Sequence, residues 1–264
     1  MTRRVAIVGH GAIGKELAAA LLARPGYEVA AVLRPGSASA SALDPRSTLV
    51  HDLAALAAFR PAIVVEAAGA EAVREWGPAS LALGVPLLLS SVGALHDDGL
   101  RETLVAAAER AGTRLYLPSG ALAGLDYVRA ARGAGHLRVR YESRKPPAAW
   151  AEELARRGLP AKPDAAVTLL DGNAREAAAR YPANLNVAAT LALAGVGFEA
   201  TDVRVVVDPQ AAGNTHGISV ESDLGRLELS VTNRPSPDNP KTSWVVSRSL
   251  FAAIEQHFST VVFL

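Results

Sequence analysis

Residues 5–14 read Val5-Ala6-Ile7-Val8-Gly9-His10-Gly11-Ala12-Ile13-Gly14. A short apolar run enters the pattern G-x-G-x-x-G, and an amphipathic segment follows at once. A dinucleotide needs this order, because the first glycine makes the tight turn and the second lets the pyrophosphate approach the backbone. The third lets the helix pack closely on the strand, and the helix N-terminus offers free N–H groups to the phosphates. The competing interpretation is an ordinary glycine-rich turn. The order of elements favours a cofactor site formed by Gly9, His10, Gly11, Ala12, Ile13 and Gly14.

The composition is that of a globular protein, and it restricts the core, the partners and the chemistry of the chain. Of its 264 residues, 50% are hydrophobic and only 5% aromatic, so the core must be built from Ala, Val and Leu. Such a core suits buried parallel strands covered by helices. The net charge of +1 gives no reason to expect a nucleic acid or an anionic membrane as partner. The lack of cysteine excludes disulfides, thiolate metal sites and a thiol nucleophile.

The early apolar run is broken by Gly9, His10 and Gly11, which makes it too short for a signal peptide. No segment reaches the roughly 18 consecutive apolar residues of a membrane span. The sequence therefore predicts a cytoplasmic protein.

Strands and helices alternate over the first part of the chain, which predicts a doubly wound parallel sheet of the Rossmann type over residues 1–118. The pattern then changes to closely spaced β-rich runs at 137–144, 203–207, 215–221 and 227–232. They predict a second, α+β domain over 119–240 that carries a mixed or antiparallel sheet. The Pro-rich stretch 145–163 is expected to be an irregular connection. A last helix, from about Lys241 to His257, is expected to pack back on the first domain, which residues 241–264 complete.

The end of the second strand bears on the choice of cofactor. In NAD-binding folds an acidic residue about 20 positions past the glycines holds the ribose 2′-hydroxyl. Arg34 stands twenty positions after Gly14, and no carboxylate stands beside it in the sequence. A guanidinium pairs with a 2′-phosphate, and Ser37 adds a hydroxyl donor. We therefore expect NADP to be favoured over NAD, with use of both left open; the alternative is a solvated arginine at a strand end.

Several short motifs appear in order along the rest of the chain. They are Ser91-Val92-Gly93-Ala94-Leu95, Ser119-Gly120-Ala121-Leu122-Ala123-Gly124-Leu125-Asp126, Asn186-Val187-Ala188-Ala189-Thr190-Leu191-Ala192-Leu193-Ala194-Gly195, Asp208-Pro209, Asn214-Thr215-His216 and Asn239-Pro240-Lys241-Thr242-Ser243. Together they make the chain resemble the L-aspartate dehydrogenase family over nearly its whole length.

The resemblance implies a two-domain Rossmann enzyme that interconverts L-aspartate and oxaloacetate plus ammonia with NAD(P), through iminoaspartate. Several such enzymes supply that imine to NAD biosynthesis. It also implies that His216 is catalytic and that Gly120, Ala121 and Asn186 contact the cofactor. Arg34 departs from the pattern, because many relatives carry an acid there.

The chemistry of the candidate residues agrees with this role. An imidazole titrates near working pH, so His216 is suited to proton transfer; a histidine on a strand is as often structural, and the resemblance favours the catalytic role. An aspartate substrate brings two carboxylates, which need cationic or N–H donors. We expect Asn214, Lys241, Thr242 and Ser243 to bind it, the last three from the start of the final helix, where anions are favoured. The alternative is that Asn239-Pro240 merely caps that helix.

The sequence says less about the roles of the other polar residues. Glu66 ends a strand and either touches the nicotinamide side or caps a helix. His51, His96, His136 and His257 have no evident partner and are expected at the surface. No cluster has metal-ligand spacing, so no metal is expected.

Two other interpretations compete with the dehydrogenase. One is a different two-domain reductase, related to dihydrodipicolinate reductase or homoserine dehydrogenase. The other is a non-catalytic sensor of NADP(H). The expected partners are small molecules (aspartate or oxaloacetate, and ammonia) and a second copy of the chain in a homodimer.

Overall fold

The computed structural model describes residues 2–182, 185–237 and 239–263. The chain divides into two compact units, one reaching Gly120 and resuming at Val246, the other spanning Ala121–Val245. The elements up to residue 120 are β1 (Arg3–Val8), α1 (Ala12–Leu22), β2 (Tyr27–Val32), β3 (Thr48–Val50), α2 (Leu53–Phe59), β4 (Ile63–Glu66), α3 (Ala70–Ala82), β5 (Leu87–Leu89), α4 (Asp98–Arg110) and β6 (Leu115–Tyr116). They are followed by α5 (Leu125–Ala130), β7 (Arg138–Lys145), α6 (Ala151–Arg156), β8 (Val167–Asn173), α7 (Ala174–Arg180), α8 (Asn186–Ala194), β9 (Thr201–Val207), β10 (Asn214–Ser222), β11 (Gly225–Asn233), β12 (Pro235–Ser236), β13 (Asn239–Ser243) and α9 (Val245–His257).

The first unit is built on a parallel sheet with the order β3-β2-β1-β4-β5-β6. Its central strands are almost entirely buried, as expected for a sheet covered on both faces. The strand order reverses between β1 and β4, and in open α/β sheets ligands bind outside the carboxyl ends of the strands at that point. The expected doubly wound Rossmann sheet is confirmed.

The core of the first unit includes the last helix. Leu250, Phe251 and Ile254 of α9 join a buried apolar cluster with residues of β1 and α1, among them Ile7 and Leu17. These α9 residues follow a helical spacing, so a single face of the helix is buried.

The second unit carries a mixed sheet with the order β11-β10-β7-β9-β8. The pair β7–β9 is parallel, whereas β7–β10, β10–β11 and β8–β9 are antiparallel. This confirms the expected second domain with a mixed sheet. Along β7 and β10 buried and more exposed residues alternate, so each strand presents every second side chain to the interior.

Two expectations about this part of the chain are wrong. The last helix begins at Val245 and not near Lys241, because residues 239–243 pair with β12 as strand β13. The stretch 145–163 is not irregular throughout, since it contains α6. Throughout the described residues, no helix is both long enough and apolar enough to cross a membrane.

Candidate active site

The glycine loop between β1 and α1 has the geometry of a phosphate cradle. Gly9 has φ +98°, a conformation that side chains disfavour, and a Cβ atom there would lie 2.6 Å from Cβ of Ala68. A Cβ atom on Gly14 would collide with the carbonyl oxygen of Gly9. In contrast, a Cβ atom on Gly11 would meet nothing within 4 Å, so open space adjoins the backbone at this position. Gly11 is also the N-cap of α1 and supplies no side-chain cap, which leaves the first N–H groups of the helix available to an anion. These residues fit a dinucleotide.

His10 and Ser37 both contact the segment that follows β2. The His10 ring is 7% exposed, and its Nε2 lies 3.3 Å from the carbonyl oxygen of Ala42. The Ser37 hydroxyl accepts a hydrogen bond from the N–H of Ser39 at the start of a 3₁₀ turn. His10 is therefore linked to the same loop that carries Ser37.

Arg34 lies just beyond β2, and the structure gives it a partner that the sequence does not reveal. Its Nη2 lies 3.0 Å from Oε2 of Glu75 on α3, and its side chain is 72% exposed. Ser37 donates its N–H to the carbonyl oxygen of Arg34, so the two residues share one turn. No carboxylate is adjacent to Arg34 in the sequence, but in the folded structure the carboxylate of Glu75 lies next to it.

Glu66 connects two loops at the carboxyl edge of the sheet. Its side chain is 1% exposed. Oε1 accepts hydrogen bonds from the N–H groups of Ala68 and Gly69, each at 2.7 Å, and from the Ser91 hydroxyl at 2.9 Å. Oε2 accepts one from the Ser91 N–H at 2.9 Å. The carboxylate thus connects the loop after β4 to Ser91 in the loop after β5. Because Gly69 is the N-cap of α3, the capping interpretation of Glu66 is favoured.

Gly120, Ala121 and Asn186 are placed in different parts of the chain. The N–H of Gly120 donates to Oγ of Ser249 on α9 at 3.0 Å, within the first unit. Ala121, 4% exposed, opens the second unit, and its carbonyl oxygen accepts from Nδ2 of Asn233. Asn186 is the first residue of α8, and its carbonyl oxygen accepts from the Thr190 hydroxyl.

His216 lies on the buried face of β10, where it is 1% exposed. Its Nδ1 lies 2.7 Å from the Tyr141 hydroxyl on β7, and the two rings are stacked with an interplanar angle of 14°. Within the described residues, its Nε2 is buried without a hydrogen-bond partner. Burial, helped by the charge of Lys145, lowers the pKa of His216 from 6.5 to about 3. The imidazole is therefore neutral near pH 7, with its Nδ1 held by Tyr141.

Lys145 ends β7 on the same buried face. Its side chain is 3% exposed, and its Nζ lies 5.8 Å from the centre of the Trp150 ring. Burial lowers the pKa of Lys145 from 10.5 to about 8. An ammonium group in such a place is costly, and strongly perturbed groups of this kind concentrate at functional sites.

Asn214 and Ser243 bring β10 and β13 together. Asn214 is fully buried and donates from Nδ2 to Oγ of Ser243 at 3.3 Å, while its Oδ1 has no hydrogen-bond partner in the described part of the chain. Thr242 is half-buried on β13. The side chain of Lys241 lies outside the described residues. Lys241, Thr242 and Ser243 lie on strand β13 and not at the start of the final helix, so the expected helix position of these residues is wrong, and their role in binding the substrate stays a prediction.

The remaining histidines correct another expectation. Nδ1 of His51 lies 2.8 Å from the carbonyl oxygen of Leu33, and Nδ1 of His96 lies 2.8 Å from that of Gly93. Nδ1 of His257 lies 3.4 Å from the Tyr116 hydroxyl. These three rings have partners, because backbone carbonyls and a distant tyrosine meet them in the fold. His51 and His136 are exposed, as expected, whereas His96 and His257 are partly buried. Among the described residues, no group of three or more His, Cys, Asp or Glu side chains is arranged to hold a metal ion.

Comparison with known proteins places the chain. Residues 126–257 match the family described as aspartate dehydrogenase, C-terminal, and residues 9–118 match homoserine dehydrogenase, NAD binding domain. The chain is 49% identical over 264 residues to L-aspartate dehydrogenase 2 of Bordetella pertussis, with 98% of each chain covered. This chain belongs to the aspartate dehydrogenase family. The crystal structure of aspartate dehydrogenase from Thermotoga maritima matches it with a TM-score of 0.76 and 25% identity over 100% of both chains. Dihydrodipicolinate reductase from Paenisporosarcina, at 15% identity and a TM-score of 0.56 over 97% of this chain and 95% of that one, shares the fold alone.

Membership of the aspartate dehydrogenase family makes the chain an oxidoreductase with a nicotinamide cofactor, which the match to an NAD binding domain and the glycine loop both support. The sequence reasoning missed Tyr141, Lys145 and Trp150. A signal was present: from Val139, every second residue of β7 points inward, and a lysine is rarely fully buried in a protein core.

Proposed function

We propose that this chain is an NAD(P)-dependent L-aspartate dehydrogenase that interconverts L-aspartate and oxaloacetate plus ammonia through iminoaspartate. The observation that carries the proposal is His216. It is a buried, neutral imidazole whose Nε2 has no hydrogen-bond partner among the described residues, and it lies in a polar cluster of a chain whose relatives are L-aspartate dehydrogenases. A sensor needs no such group. The alternative reductases share the fold at low identity and are not favoured.

His216 is proposed as the residue that moves protons. A nicotinamide bound at the glycine loop would supply hydride transfer to and from the α-carbon of aspartate. Hydrolysis of the resulting imine needs a base, because water must lose a proton as its oxygen bonds to the imine carbon. Nε2 of His216 accepts that proton, while Tyr141 holds Nδ1 and fixes the ring. In the reverse direction the same nitrogen returns the proton to the departing hydroxyl.

We further propose that NADP is the preferred nicotinamide cofactor, with NAD also accepted. Gly9, Gly11 and Gly14, with the N-terminus of α1, hold the pyrophosphate. Arg34 is exposed at the end of β2, where a ribose 2′-phosphate would be read. Its pairing with Glu75 is weak competition, because an exposed ion pair contributes only about 0–1 kcal/mol. The same proposal includes the other residues expected to bind the cofactor, which are His10, Ala12, Ile13, Ser37, Gly120, Ala121 and Asn186. It also includes the residues expected to bind the substrate, which are Asn214, Lys241, Thr242 and Ser243.

A cytoplasmic location of the protein stays a prediction. We also propose that two copies of the chain form a dimer through the exposed face of the second unit's sheet. That face alternates charges: Arg140 lies 3.5 Å from Asp202, and Arg144 lies 2.9 Å from Glu142. Mixed charges of this kind are self-complementary across a twofold axis. Light scattering after gel filtration should give twice the mass of one chain; the mass of one chain would contradict the dimer.

The experiment for the proposed function follows NADPH absorbance with purified protein. Consumption should require oxaloacetate and ammonia together, and the His216→Ala variant should lose it while retaining NADPH binding. Consumption with oxaloacetate alone would indicate reduction to the hydroxy acid and would overturn the proposal. So would NADPH binding without turnover under any condition, which is the outcome expected of a sensor.

A further inference from the structure

The end of β2 is held by a tight turn. The N–H of Ser37 donates to the carbonyl oxygen of Arg34 at 3.1 Å and closes this β-turn. Pro35 and Gly36 form its centre, and Gly36 has φ +74°, a positive value typical of the third residue in a type II turn. A Cβ atom on Gly36 would meet nothing within 4 Å. The backbone of Arg34 is therefore fixed, while its side chain, 72% exposed, is accessible to a ligand.

The glycine loop and the start of α3 lie at the same corner of the first unit. The N–H of Gly9 donates to the carbonyl oxygen of Val32, the last residue of β2, at 3.1 Å. Gly9 also packs so tightly on Ala68 that a Cβ atom there would lie 2.6 Å from the Ala68 Cβ atom. α3 begins soon after Ala68, and its Glu75 reaches Arg34. The phosphate cradle, the end of β2 and α3 therefore meet where this fold binds the ribose next to the adenine.

Glu75 supplies at this corner an acid that the sequence after the glycines lacks. Its Oε2 lies 3.0 Å from Nη2 of Arg34, and its side chain is 45% exposed. The cation next to it on α3, Arg74, contacts Asp97 at 3.0 Å and Glu71 at 3.5 Å instead. A carboxylate has several acceptor positions and a guanidinium has several donors. Their mutual contact therefore leaves both groups able to bind a ligand as well.

The two forms of the cofactor differ at the ribose 2′ position, where NAD has a hydroxyl and NADP has a phosphate. A hydroxyl donates to a carboxylate in a charge-assisted hydrogen bond. A phosphate is attracted by a guanidinium and repelled by a carboxylate. Building on the proposed use of both cofactors, we propose that Glu75 is a specificity-determining residue. It accepts the ribose 2′-hydroxyl of NAD, whereas Arg34 binds the 2′-phosphate of NADP.

The contact between Arg34 and Glu75 lets one corner serve both cofactors. With NAD the ion pair stays intact, and the guanidinium holds the carboxylate next to the hydroxyl. With NADP the guanidinium exchanges the carboxylate for the phosphate. This exchange costs little, because both side chains are exposed and an exposed ion pair is weak. Glu75 thus favours NAD and reduces the preference for NADP that Arg34 creates.

The test measures binding by fluorescence titration of NADPH, of NADH and of the NADH analogue that lacks the adenosine 2′-hydroxyl. Glu75→Met removes the acceptor and its charge. Glu71→Met makes the same change on the same helix, at a side chain that is 83% exposed, and is the matched control. In Glu75→Met the affinity for NADH should fall about tenfold, the usual effect of losing a hydrogen bond to a charged group. The affinity for NADPH should rise about threefold, because a repelling charge is removed.

The analogue tests whether the 2′-hydroxyl is the group that Glu75 binds. The natural protein and Glu71→Met should bind NADH about tenfold more tightly than the analogue, and Glu75→Met should bind the two equally. If the natural protein bound both equally, or if Glu75→Met left the ratio of NADH to NADPH affinity unchanged, Glu75 would have no role in cofactor choice, while the proposed function would stand. If the natural protein bound none of the three nucleotides, the proposed function would fail, and the role of Glu75 with it.

Discussion

The Tyr141 hydroxyl lies 2.7 Å from Nδ1 of His216, with the two rings stacked at a centroid distance of 6.0 Å. Both side chains come from the buried face of adjacent antiparallel strands, and Tyr141 stands two residues along β7 from Ser143, which pairs with His216. Burial raises the pKa of the Tyr141 hydroxyl, so this phenol stays neutral. The contact therefore fixes the imidazole ring without adding a charge, and within the described residues Nε2 is left without a hydrogen-bond partner.

Replacing His216 by Ala should lower turnover by roughly 10²–10⁴-fold, the usual contribution of general acid–base catalysis. The fold and NADPH binding should persist, because the glycine loop and Arg34 lie in the other unit. Tyr141→Phe should lower kcat by only about five- to tenfold, since it removes one orienting hydrogen bond. The measurements are kcat, NADPH affinity and melting temperature on each variant. A stable His216→Ala protein with near-normal turnover would mean that another residue is the catalyst.

The lowered pKa of His216 predicts how stability depends on pH. Because the folded-state pKa (about 3) lies below the ordinary value of 6.5, the unfolded chain binds more protons between these limits. The contribution of the neutral His216 to the free energy of unfolding is thus fully present above pH 6.5, and it is lost as the pH falls toward 3. The slope from this group is at most about 1.4 kcal/mol per pH unit. Urea unfolding from pH 6.5 to 4.5 should show a steeper loss for the natural protein than for His216→Gln; equal slopes would contradict the buried neutral imidazole.

The ion pair between Arg34 and Glu75 predicts opposite effects of two substitutions on cofactor choice. Arg34→Asp should weaken NADPH binding relative to NADH, because it replaces a phosphate partner by a repelling charge. Glu75→Gln should strengthen NADPH binding, because it frees the guanidinium. Fluorescence titration with both cofactors measures the ratio of affinities. Equal affinities for the two cofactors, unchanged in both variants, would remove Arg34 from the site.

The Glu66 carboxylate predicts a link between stability and cofactor binding. Glu66→Gln places an amide donor opposite backbone N–H donors and should destabilise the protein by about 1–3 kcal/mol. NADPH binding should weaken as well, because Ala68 in the anchored loop packs directly against Gly9. Glu71→Gln is the control, since that side chain is 83% exposed on the neighbouring helix. Unchanged NADPH affinity in Glu66→Gln would show that the loop does not support the glycine turn.

Much of the first unit could be predicted because its signals are local. A buried strand, three glycines and an amphipathic helix follow each other within a few residues, and each constrains the next. Two contacts in this unit could not be predicted, because they join residues that are distant in the sequence. Glu75 approaches Arg34 only because α3 packs beside the end of β2, and Glu66 finds Ser91 only because β4 and β5 are neighbours in the sheet.

The candidate site in the second unit was harder to predict. His216 was found through a motif, whereas Tyr141 and Lys145 become visible only once the register of β7 against β10 is known. The sequence predicts a helix from about Lys241, after Asn239-Pro240, but in the fold residues 239–243 pair with β12 as a strand, and this pairing outweighs the local preference. Strand β8 was missed because its sequence, ending in Asp-Gly-Asn, contains strand-breaking residues.

The most direct test of the central claim compares kcat/KM for the reductive amination of three keto acids by the purified protein. Oxaloacetate should exceed both pyruvate and 2-oxoglutarate by orders of magnitude. Pyruvate leaves the buried donors of a dicarboxylate site unpaired, and such sites reject analogues that lack the matching group by about 10⁴–10⁵-fold. The longer diacid would crowd the same walls. Comparable kcat/KM values for all three acids would contradict an aspartate-specific site.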